Sequence, residues 1–163
     1  MLLEWGADPW INSADGTTPL MAAAGVDFAE GQDKYRRRWF GVDTTALQER
    51  AMAAVDLCLS IGLDINAVND KGETVMHGAA YLGGTTFAPF LAARGAHLNG
   101  INKRGQTPWL ITQGEYLAGA FIDHRETGAV LQHLGADTTI GHDIGAEAVT
   151  TLLQAAATVE QTR

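Results

Sequence analysis

A single cysteine, Cys58, stands among 163 residues, so no disulfide can form within the chain and the fold holds together without one. That leaves the redox compartment open. No apolar run approaches the ~18 to 20 residues that span a bilayer, and the N-terminus lacks a basic segment followed by an apolar core. No membrane partner or export signal is therefore legible, and a soluble protein, cytoplasmic by default, is expected. Positive charge is also scarce: eleven Lys and Arg face nineteen Asp and Glu, a net charge of -8. Such a balance repels phosphate backbones and counts against nucleic-acid binding. Only Arg36, Arg37 and Arg38 cluster tightly. A phosphate-binding glycine loop, a G-x-S-x-G elbow and a metalloprotease helix are all missing. The histidines, His77, His97, His124, His133 and His142, show no i+3 or i+4 ligand pairing, so neither a cofactor nor a metal is expected.

What is present is a foldable composition, 46% hydrophobic and 18% charged with 19 glycines. It is too apolar for a disordered chain and too often interrupted by glycine for a long coiled coil. The length suits one domain. Two markers recur through it. T-x-x-x-x-A-A stands at Thr18 (TPLMAAA) and Thr74 (TVMHGAA), and the same frame at Thr107 reads TPWLITQ. Ahead of each lies a glycine marker, Gly6-Ala7-Asp8, Gly62-Leu63-Asp64 and Gly95-Ala96-His97, with a fourth at Gly135-Ala136-Asp137. The glycines are spaced by 56, 33 and 40 positions, so a 33-residue unit carries insertions of 23 and 7 residues in its first and third copies.

These residues resemble the ankyrin repeat, whose signature pairs T-P-L-H-x-A with a later L-L-x-x-G-A-D and a turn before the next unit. The resemblance covers nearly the whole chain. It implies an all-α ankyrin-repeat solenoid of helix-turn-helix units with projecting β-turn fingers, two inter-helix insertions and a C-terminal capping helix. The implied division is one domain: the end of a truncated repeat and a finger at 1–17, a repeat at 18–62 with its insertion at about 26–44, a regular repeat at 63–95, a repeat at 96–135 with its insertion at about 115–126, and a cap at 136–163. His77 takes the motif's histidine position, which in the family bonds the neighbouring finger. Met21 and Leu110 take it in the other units, which implies looser fingers there.

Local chemistry agrees. Thr18-Pro19 and Thr107-Pro108 set a capping threonine before a proline at the first helical position, where the missing N–H costs nothing. Thr45-Ala46-Leu47-Gln48 fits a capping box opening the next helix, whose Leu47, Met52, Val55, Cys58 and Leu59 form an apolar stripe before Gly62 ends it. Cys58 reads as core, since it stands late in that helix, away from anything that would activate a thiol. Gly83-Gly84 ends the first helix of the second unit, and the glycine count as a whole follows from helix ends and fingers. Asn69-Asp70-Lys71-Gly72 and Asn102-Lys103-Arg104-Gly105 have turn composition, as does Ser13-Ala14-Asp15-Gly16. From about Ala146, Ala148, Val149, Leu152, Leu153 and Ala156 recur at helical spacing and suit a terminal cap.

The departures from the repeat supply the candidate binding residues. Both insertions mix aromatics with acids and arginines, and loops of this size in a compact domain are often functional. Arg36, Arg37, Arg38, Trp39 and Phe40 lie in the first and Tyr116 in the second. Fingertips add Asp15, Asp70, Lys71, Lys103 and Arg104. Trp10 stands where later units have Asn66 and Asn99, as a contact or as cover for the N-terminal end beside Trp5. The leading expectation is a non-enzymatic protein-interaction module that binds an unidentified protein partner through its concave face, fingers and insertions. A small hydrolase using Asp33, Asp43, Glu115, Asp123, His124 and Glu126 is the alternative. A third reading is a self-associating fragment of a longer array: Met1 falls where a preceding unit would be ending, so Leu2, Leu3 and Trp5 would be covered by folding over or by forming a homo-oligomer.

Overall fold

The computed structural model describes residues 5–6, 8–26, 44–83, 85–117, 120–122 and 124–141. Arg36 to Phe40, Leu2, Leu3 and the helix expected from Ala146 lie outside these residues, as do the side chains of Leu47 and Tyr116.

Among the described residues, six helices follow one another in pairs: α1 (Pro19–Ala23) with α2 (Thr44–Ser60), α3 (Val75–Leu82) with α4 (Phe87–Ala92), and α5 (Pro108–Ile111) with α6 (Arg125–His133). Within each pair the helices pack together, and pairs stack so that α3 lies between α1 and α5 while α4 lies between α2 and α6. The fold is helical in two layers. Between α5 and α6, the second insertion forms a hairpin of β1 (Glu115–Leu117) and β2 (Ala120–Ile122), antiparallel with Tyr116 opposite Phe121. The sequence reading assigned no strand there. The hairpin pairs the backbone groups that face one another across its two strands, so the insertion brings part of its own hydrogen bonding with it.

The starts and stops are as local chemistry requires. Thr18 accepts the Met21 N–H at 3.2 Å and Thr107 accepts the Leu110 N–H at 3.1 Å, each just before its proline. The second helix of each pair ends on a left-handed glycine. The Gly62 N–H donates to Leu59 O and the Leu63 N–H to Cys58 O, and the same two bonds recur at Gly95-Ala96 and Gly135-Ala136. One feature differs from expectation. Thr45 lies inside α2, and the Gln48 amide, instead of closing a capping box, donates to Gly83 O at 3.5 Å and accepts from the Thr86 hydroxyl at 2.5 Å. A tertiary donor, the Thr86 hydroxyl, takes the Gln48 oxygen that a capping box would offer to a local backbone N–H.

Leu20, Met21, Val55, Met76, Phe87, Leu91 and Leu131 are fully buried between the layers. Each contributes roughly 1.5–3 kcal/mol of transfer free energy. Met52, Cys58 and Leu59 pack against them from α2. Two glycines stand inside helices rather than at ends or fingers, against the sequence reading. Gly78 of α3 lies so close to α1 that a Cβ there would overlap Ala24 O and come within 2.7 Å of Val26 N. Gly128 of α6 faces Thr112 and Gln113 just beyond α5 in the same way. On the outer layer, the Arg94 guanidinium forks onto Asp56 at 2.6 and 3.0 Å while lying over the Phe90 ring, tying α4 back to α2.

Candidate functional site

Ahead of each helix pair the chain runs out and back in a finger, three similar ones among the described residues. In the second, the Asn69 N–H donates to Glu73 O and the Gly72 N–H to Asn69 O. In the third, the Asn102 N–H donates to Gln106 O and the Gly105 N–H to Asn102 O. Asparagine suits this position because its side-chain oxygen closes the turn from inside. Asn69 Oδ1 accepts from the Lys71 and Glu73 N–H groups, and Asn102 Oδ1 from those of Arg104 and Gln106. The first finger uses Ser13 instead, whose hydroxyl accepts the Thr17 N–H and donates to Asp15.

The fingers are joined edge to edge. The Asp70 N–H donates to Asp15 O at 2.8 Å and the Lys103 N–H to Lys71 O at 2.7 Å, the same bond one unit apart. Lower down, Asn66 clamps the next unit, donating to Gly95 O at 3.0 Å and accepting the His97 N–H at 2.9 Å, and Asn99 accepts the Asp137 N–H at 2.9 Å. Trp10 occupies this register in the first finger and cannot make the clamp. Its ring instead lies against Gly62. Restoring the amide should stabilise the junction: Trp10→Asn is expected to gain about 0.5–1 kcal/mol in urea unfolding, the worth of a half-exposed amide pair. A loss would mean that the indole's packing on Gly62 outweighs the clamp.

His77 provides a third link. It is fully buried; its Nδ1 accepts the Thr74 N–H at 3.0 Å, which leaves Nε2–H to donate to Gln106 O at 3.2 Å in the neighbouring finger. Burial pulls its pKa down to about 4, only partly opposed by that carbonyl. It is therefore a neutral structural bridge. The Asp15 carboxyl is held well below the usual carboxylate range, first by the Ser13 hydroxyl and then by the Thr17 N–H, with Lys71 at 3.5 Å adding to them. Burial pushes the Cys58 thiol up, which suits a packing role rather than a nucleophile's.

Of the sequence candidates, Trp10, Asp70, Lys103 and Arg104 are exposed along the finger row, and Asp15 and Lys71 are half-buried in it. Three apolar residues missed at the sequence level join them: Ile11, Val68 (60% exposed) and Ile101 (52%). Val68 and Ile101 are 33 positions apart, a repeat-spaced pair that the aligned units could have revealed. Trp5, expected as end cover, is 87% exposed. Along α3, by contrast, Val75 to Tyr81 are all buried, with Ala80, Tyr81 and Ile111 in a second small cluster and the Tyr81 hydroxyl donating to Glu73 at 2.7 Å. The first-helix row thus offers no open face at the second unit.

From the acidic set weighed for hydrolysis, Asp33, Asp43, Asp123 and the Glu115 side chain lie outside the described residues, and Glu126 is exposed in the first turn of α6. His124 Nδ1 donates to Ala80 O at 2.9 Å, closing the end of α3, where its ring leaves no room for a side chain at Gly83. Among the described residues no group of three His, Cys, Asp or Glu is placed to hold a metal ion, and no helix is long and apolar enough to cross a membrane.

No family model matches the chain. It is similar to neurogenic locus notch homolog protein 1 of Homo sapiens, 36% identical over 119 residues, and to that of Mus musculus, 35% identical over the same length. Each match covers 66% of this chain and 5% of the relative.

Proposed function

We propose that the chain is an ankyrin-repeat interaction module, a solenoid with units at about 18–62, 63–95 and 96–135 that docks a protein partner along its finger row and catalyses no reaction. The observation that carries this reading is the row itself. Backbone bonds and asparagine clamps fix fingers whose outward side chains are apolar at Trp10, Val68 and Ile101 and charged at Asp70, Lys103 and Arg104. Rigid presentation lowers the ordering cost of binding, and apolar anchors rimmed by charge are what interfaces use. The similarity to the notch homologs supports the repeat reading over 119 residues, and those proteins' own activities are not carried over. Because α3 is buried, the fingers rather than a concave helix face take the central role. Arg36, Arg37, Arg38, Trp39, Phe40 and Tyr116 in the insertions are proposed as flanking contacts.

A photo-crosslinker placed at Val68 should give a discrete protein adduct in a cell extract, absent when the crosslinker sits at exposed Glu49 on α2 and lost with Ile101→Asp. Indistinguishable adducts from Val68 and Glu49 would remove the finger row from the proposal.

A further inference from the structure

We infer that the last turn of α3 is a relay between the first and third units: Gln48 from one and His124 from the other close it together, so that loosening either side loosens the other. This goes beyond the finger-row reading and does not depend on it.

The relay starts from what a helix end lacks, since the last carbonyls of a helix have no partner within it. At α3 the Gly83 N–H donates to Ala79 O at 3.0 Å, but Ala80 O and Gly83 O are closed from outside. His124 Nδ1–H reaches Ala80 O at 2.9 Å. The Gln48 amide reaches Gly83 O at 3.5 Å while its oxygen accepts the Thr86 hydroxyl at 2.5 Å. Ala80, Gly83 and Gln48 are buried, so water is a poor substitute for either side chain.

Each side chain stands where the chain returns from an expected insertion. Gln48 lies one turn into α2, which begins at Thr44. His124 closes the second insertion, because its backbone N–H donates to Thr112 O at 3.2 Å and brings the chain back to the end of α5.

The two side chains also meet through one residue. Gly83, at φ 71° and ψ -175°, lies against the imidazole: a Cβ there would stand 2.8 Å from both Cε1 and Nδ1 of His124. If His124 withdraws, Ala80 O is left open and the turn frays, carrying Gly83 O away from Gln48, whose bond is the longer of the two. If Gln48 withdraws, Gly83 O loses its partner and the backbone under the imidazole shifts. A single element with a closed and a frayed state is thus biased from both sides, and such coupling is reciprocal.

Hydrogen exchange of the full chain, read by mass spectrometry, tests this. His124→Phe keeps a ring on Gly83 and removes the donor. It should speed exchange at residues 80–83 and also at 44–50 on the far side, each by roughly 3-fold or more. Gln48→Ala should do the same at 80–83 and in the β1–β2 hairpin. The double variant should fall short of the product of the two single effects. Arg94→Ala, which cuts the tie from α4 to Asp56 without touching α3, should leave 80–83 and the hairpin unchanged. Exchange that rises only on the mutated side, evenly over the whole chain, or not at all would overturn the relay.

Discussion

Gly78→Ala is expected to lower stability by about 2–4 kcal/mol, although alanine is the better helix former by about 1 kcal/mol. The reason is the identity of the obstructing atoms. The new Cβ would meet Ala24 O and Val26 N, backbone atoms at the end of α1 that cannot rotate away. Relief requires α1 to withdraw from α3, which opens the contact among Leu20, Met21 and Met76. Gly128→Ala is the matched comparison. Its Cβ would meet the Thr112 hydroxyl and the Gln113 amide, side-chain ends that can turn aside, so the loss should be markedly smaller. Urea unfolding of both variants checks the order. A Gly78→Ala protein as stable as the parent would show that the helix pairs slide past one another freely.

Acid should weaken the fold through His77, and removing that imidazole should remove the effect. The folded protein keeps the ring neutral down to about pH 4, whereas the unfolded chain takes up its proton near 6.5. Between those values the unfolded state binds more protons, so stability falls as pH falls. Nothing is lost from this group above the window, and no more below it. Two and a half pH units at 1.36 kcal/mol each amount to roughly 3 kcal/mol. His77→Gln should be less stable at pH 7, because Thr74 N–H and Gln106 O lose a fitted partner, yet flatter between pH 6.5 and 4. Urea midpoints at pH 7 and 4.5 for both proteins test this. Equal pH slopes would mean that the bridge to Gln106 opens and admits water.

The helical architecture was legible because its signals repeat. Thr-Pro caps in two units, turn asparagines in two fingers and a left-handed glycine after each second helix are local devices that recur, and aligned copies reinforce one another. What escaped was the chemistry between units. Gln48 turning to Gly83 and His124 closing α3 at Ala80 join positions 35 and 44 apart, which no local pattern encodes. The three-residue strands of the second insertion are too short to display alternation, and Gly78 looks like any glycine until α1 is laid beside it. At the candidate site, the fingertip residues came from turn composition. Val68 and Ile101 did not, because a lone exposed aliphatic is unremarkable until its repeat partner is aligned with it.

The finger row is not bound equally along its length. Asn66 and Asn99 reinforce the later fingers, while Trp10 leaves the first two fingers to the Asp70 to Asp15 bond, the Asn69 amide on the Thr17 hydroxyl and the Lys71 ion pair. The first two units are instead tied on their helical side, by the Arg94 fork on Asp56 and by Gln48 on Gly83 and Thr86. In partial denaturant the first fingertip is therefore expected to part from its neighbour before the helix pairs behind it separate.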